Sequence, residues 1–144
     1  MENRGNIWSR VGLLFSVMLV IFGLSYVFHP EARRNQKQMV EELKALPLPP
    51  GTSEQSFSSG YQPSKGSALR TILSAASAQD LCGFFLQTLT SKGWHLVEQS
   101  CFSGEWGHAM MVLRKGMFTC KLVYVRQNGS TGMFTYELLA TWPS

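Results

Sequence analysis

The chain reads as an α+β protein: an N-terminal transmembrane helix, then a mostly antiparallel sheet with one helix packed on one face. Three observations predict this. Residues 11–28 are 18 consecutive side chains without a formal charge. At about 1.5 Å per residue they span roughly 27 Å as a helix, close to the thickness of a bilayer's hydrocarbon core. The last two segments, 117–126 and 133–142, alternate apolar and polar residues with the period of two that a half-buried strand requires. Within the region beyond residue 53, only 77–93 has helical spacing framed by a start and a stop signal.

The apolar run is expected to hold the chain in a lipid bilayer through Val11, Leu13, Leu14, Phe15, Val20, Ile21, Phe22 and Phe28. Trp8 and Tyr26 fall where aromatic side chains are favoured at membrane interfaces, and Arg10 can snorkel to the headgroups. A cleaved signal peptide has a shorter apolar core followed by small residues, whereas Ser25-Tyr26-Val27-Phe28-His29-Pro30 is bulky. A lipoprotein needs a cysteine just after the run, and the first is Cys82. An uncleaved signal-anchor is the expectation. Arg4 and Arg10 before the run face Arg33, Arg34 and Lys37 after it, a count that by itself favours a cytoplasmic domain. A short basic tail ahead of one apolar segment is, however, the usual form of an anchor that exports the C-terminal remainder of its chain. The soluble domain is therefore expected to be extracytoplasmic.

The pattern divides the chain into three regions: tail and anchor over 1–29, an amphipathic stalk and Pro-rich linker over 30–53, and a small α+β domain over 54–144. Met39, Val40, Leu43 and Leu46 recur at helical spacing in the stalk. Pro47-Leu48-Pro49-Pro50-Gly51 cannot continue a helix, so a protein starting near Pro47 is expected to fold alone. In the domain, 54–61 and 68–76 read as strands, with Leu69, Thr71, Leu73 and Ala75 alternating against Arg70, Ile72 and Ser74. Ser77 caps a helix with Asp80 in its first turn; Leu81, Phe84, Phe85 and Leu89 form its apolar face, and Gly93 stops it. Strands are expected over 94–102, 107–114, 117–126 and 133–142. The helix should cover Phe118, Cys120, Leu122 and Tyr124 together with Phe134, Tyr136, Leu138, Ala140 and Trp142, placing Trp142 near Phe85 or Leu89.

Chemistry is sparse. The net charge is +4; the first 46 residues hold six cations against four carboxylates, and the rest seven against five. The seven (Lys65, Arg70, Lys92, Arg114, Lys115, Lys121, Arg126) are scattered, without the basic stripe that nucleic acid requires. Glu98 and Glu105 flank a turn and are the only carboxylates placed to act as a pair, although charges beside turns are ordinarily just solvated. Cys101 and His108 could face each other across a hairpin, but two ligands do not make a zinc site and no third residue is marked to orient a nucleophilic pair. No phosphate or dinucleotide fingerprint is present, and Asn128–Gly132 reads as a hairpin loop. No metal and no cofactor is expected. In the meander, Cys120 is placed across from Val112 and Val112 across from Val97, which keeps Cys101 and Cys120 too far apart to bridge. Cys82 has the shorter reach to Cys120, and Cys101 is expected as a thiol.

Some of these features also form a loose pattern: Leu46-Pro47-Leu48-Pro49-Pro50-Gly51, the helix end Lys92-Gly93-Trp94, the turn Arg114-Lys115-Gly116, and Tyr136 with Trp142. In it the chain resembles small membrane-anchored bacterial α+β domains of unknown function. The resemblance spans about residues 46–142 and implies a fold; its matching positions are turns and core, so it carries no functional residue. The expected function is a non-catalytic binding or assembly module at a membrane surface, with an unidentified protein partner. The alternative is a small thiol-dependent enzyme using Cys101 and His108. A third reading makes the chain a subunit of a membrane complex, packed through Gly12, Ser16, Gly23 and Ser25.

Overall fold

The computed structural model describes residues 29–101 and 109–143. The elements run α1 (Pro30–Lys44), β1 (Thr52–Gln62), β2 (Lys65–Ser74), α2 (Ala78–Ser91), β3 (His95–Gln99), β4 (Ala109–Lys115), β5 (Phe118–Gln127) and β6 (Phe134–Pro143). The six strands make one sheet in the order β1-β2-β6-β5-β4-β3, and every neighbouring pair is antiparallel. The chain thus builds two ribbons. β1–β2 stands apart in sequence from the β3–β6 meander, and the last strand closes the sheet by pairing with β2.

Local chemistry sets the boundaries of α2. The Ser77 hydroxyl accepts from the Asp80 amide at 3.2 Å and donates to its carboxylate at 2.7 Å, which satisfies a helix-start donor that would otherwise lack a partner. Gly93 stands at φ +84°, and the amides of Lys92, Gly93 and Trp94 bond back to the carbonyls of Leu89 and Thr90. Between β4 and β5 the turn is two residues, Gly116-Met117, closed by the pair Lys115 and Phe118, with Gly116 at φ +57°. That turn puts Cys120 across from Leu113, and Leu113 across from Leu96. The pairing expected for Cys120, with Val112 and then Val97, is thus off by one residue, because the turn sits one residue further on.

Both helices pack on the same side of the sheet. The sheet contributes Ala68, Arg70, Ile72, Leu113, Cys120, Leu122, Tyr136, Leu138, Ala140 and Trp142, all buried. Against them α2 buries Leu81, Cys82, Phe85 and Leu89, lying by β3 and β4. α1 buries Ala32, Gln36, Met39 and Leu43. The segment expected as a stalk is therefore a structural helix of the fold, and among the described residues two helices pack on the sheet where one was expected. Trp142 is buried, as its strand phase requires, but its Nε1 donates to Gln36 Oε1 of α1 at 2.9 Å. Its expected neighbours on α2 belong to the other end of the layer.

Arg70, one of the seven scattered cations, is drawn into this buried layer. It is 6% exposed; its Nε donates to Glu54 at 2.6 Å, and its Nη1 donates to the carbonyls of Leu43 and Leu46 at 3.1 and 2.7 Å. A guanidinium so placed closes the C-terminal end of α1, where carbonyls lack intrahelical donors. Gly66 completes the seam, because a Cβ there would collide with Gln36 and the Trp142 ring. Among the described residues no helix is long and apolar enough to cross a membrane. The expected span over 11–28, with Val11, Leu13, Leu14, Phe15, Val20, Ile21, Phe22 and Phe28, lies outside the described residues.

Candidate functional site

With both helices on one side, the opposite side of the sheet is covered by none of the described elements. Residues paired across antiparallel strands point to the same face, so the registers give its layout. One row runs Gly60, Ser67, Thr141, Thr119, Arg114 and His95 across all six strands. The next runs Ser58, Leu69, Leu139, Lys121, Val112 and Glu98. Beyond it lie Ser56, Thr71, Glu137 and Val123, then Ser53, Leu73, Thr135 and Arg126. The surface is a mosaic of hydroxyls, short aliphatic side chains and separated charges.

Four members of the first row, Gly60, Ser67, Thr141 and Thr119, line an open cleft of about 600 Å³ at the free end of the β1–β2 hairpin. Gly60, Lys65, Ser67, Thr119, Thr141 and Pro143 are among the residues that bound it. None of the described residues hydrogen-bonds the hydroxyls of Ser67, Thr119 or Thr141, whereas the polar side chains buried under the helices are all partnered. Gln36, for instance, uses both ends of its amide, on Ser67 O and Trp142 Nε1.

The residues singled out for chemistry do not converge. Cys101 is joined to Cys82 in a disulfide with Cα atoms 6.1 Å apart, so it is not the thiol expected. Cys82 turns to Cys101 rather than to Cys120, which is buried and free. Cys101 and Cys120 are unjoined, as the meander requires. Burial raises the Cys120 thiol from 9.0 to about 12, so it stays protonated and weakly nucleophilic at neutral pH. Glu98 and His95 are exposed on β3, Asp80 is spent on the cap of α2, and Glu105 and His108 lie outside the described residues. Among the described residues no three His, Cys, Asp or Glu side chains come together to hold a metal ion. Asn128 accepts from the Ser130 amide at 3.1 Å inside the loop before β6, which is turn chemistry as expected.

The hydroxyl row is not legible in the sequence alone. Its signal is there as Ser or Thr at the outward phase of three strands, but only the register shows that Ser67, Thr141 and Thr119 stand side by side. Comparison with protein-family models, curated proteins and solved structures finds no match to this chain.

Proposed function

We propose that the chain is a non-catalytic binding module, tethered to a membrane by its N-terminal apolar segment, that engages its partner with the uncovered face of the sheet. The observation that supports this reading is the sidedness of the fold. Its large buried side chains lie toward the helices, while the other face keeps aliphatic residues (Leu69, Leu73, Leu139) half-exposed beside hydroxyls that no described residue bonds. The Cys82–Cys101 disulfide supports an extracytoplasmic domain, since such bridges persist in oxidising compartments. The same bridge removes the free Cys101 thiol that a thiol-dependent enzyme would need.

The test is recovery of partners from mild detergent with the wild-type chain and with Leu139→Lys, which places a charge mid-face on a central strand. Circular dichroism checks that the variant folds. Loss of a partner that the wild type retains supports the reading. Equal recovery by both proteins would move the binding surface elsewhere.

A further inference from the structure

We propose that the hydroxyl row of the open face is a trough for an acidic oligosaccharide, an inference that rests on this face being the binding surface. Shape comes first: Gly60, Ser67, Thr141 and Thr119 are small and all line the open cleft, which Tyr61 and Pro143 also border. Three hydroxyls on adjacent strands repeat at the inter-strand spacing of about 4.8 Å, comparable with the length of one pyranose unit. Each can donate or accept, and none is used within the described residues, so the floor matches a ligand that is itself dense in hydroxyls.

Charge supplies the acidic part. Lys65 stands at the hairpin end of the cleft, and Arg114 continues the hydroxyl row on β4 with Lys121 in the adjoining row. The ion pairs among the described residues are Lys37–Glu41, Arg70–Glu54 and Lys115–Glu42. Lys65, Arg114 and Lys121 take part in none of them; the carboxylates nearest in register are Glu98, diagonal to Arg114 on β3, and Glu137, diagonal to Lys121 on β6. A ligand lying across the strands would meet cations at both ends of a hydroxyl floor. An extended acidic peptide is favoured less, because it gains most by pairing its backbone with a sheet edge. β2, β6, β5 and β4 already have a hydrogen-bonded neighbour on each side, so over them the row offers only side chains.

Isothermal titration calorimetry of the full chain in mild detergent tests this, with hexagalacturonate as the probe, and maltohexaose and poly-glutamate as the neutral and peptidic comparisons. Hexagalacturonate should bind, and maltohexaose and poly-glutamate should bind more weakly. The pair Thr119→Val and Thr141→Val preserves shape and strand propensity but removes two hydroxyls, and should weaken binding about tenfold. Lys65→Gln with Arg114→Gln should weaken it and flatten its dependence on salt. Thermal melts identify any variant that has simply lost its fold. Absence of hexagalacturonate binding, poly-glutamate binding as tightly, or valine variants indistinguishable from wild type would each overturn the trough. In those cases the Leu139→Lys comparison still reports separately on whether the face binds a partner at all.

Discussion

Arg70 connects what would otherwise be separate parts: the end of α1, the start of β1 and the middle of β2. Its replacement by Met keeps most of the stem but leaves the Leu43 and Leu46 carbonyls without their donor and Glu54 without its partner. Glu54 is partly exposed and rehydrates, so the expected loss is about 2–3 kcal/mol, read as a lower urea midpoint; Arg70→Lys should recover only part, because an ammonium does not reproduce the fork. The burial of this residue is hard to see in the sequence because its strand offers two phases of nearly equal polarity: Leu69, Thr71 and Leu73 against Arg70, Ile72 and Ser74. The structure buries the second, and a one-residue choice of phase is what a short sequence pattern cannot make. Two buried acids give the domain a pH signature. Burial raises Cys120 from 9.0 to about 12, and burial, with smaller effects from Tyr124 and Asp80, raises Tyr136 from 10.0 to about 12. The folded state holds protons that the unfolded chain has released, so stability is complete below about pH 9 and falls as pH climbs towards 12. Melting temperature should drop through that window. Cys120→Ala should remove the part that begins near pH 9 and leave the part that begins near pH 10; a flat profile would mean that the two groups are hydrated.

At the scale of elements, α1 differs most from what its sequence suggests. Its apolar positions Met39, Val40 and Leu43 are few and lie among Glu, Lys, Arg and Gln, so in isolation it reads as a polar stalk. Only the sheet explains Gln36, whose amide is satisfied by the Ser67 carbonyl and the Trp142 indole, contacts 31 and 106 residues away in sequence. A protein truncated to begin near Pro47 should therefore expose the Trp142 end of the sheet and aggregate, whereas one beginning before Pro30 should melt cooperatively; dispersed amide NMR spectra separate the two. The strands are more legible, because alternation with an aromatic or branched residue at the inward phase marks β5 and β6 directly. Their ends and registers are not. Both edge strands, β1 and β3, carry a register shift, after Glu54 and after Leu96. Such bulges twist an edge away from unwanted pairing and leave no trace in hydropathy.

For the whole molecule, the disulfide links fold stability to the compartment in which the proposed membrane anchor would place the domain. Cys82 and Cys101 are 19 residues apart, and closing a loop of that length stabilises a domain by about 3 kcal/mol through the unfolded chain. That is a large part of what a domain of this size possesses. The bridge ties α2 to the end of the β3 segment, so reduction should lower the melting temperature without abolishing the β1–β2–β6 half of the sheet. The cysteine count also tests orientation. In an oxidising compartment Cys82 and Cys101 are paired and Cys120 alone is free, shielded by the core. Native membranes treated with an alkylating reagent should then show no modified cysteine, denaturation without reductant should expose one, and denaturation with reductant three. If the domain instead faces the cytoplasm, where thiols are kept reduced, all three should react on denaturation alone. Mass spectrometry of the alkylated chain distinguishes one from three, and three would reverse the orientation proposed for the domain.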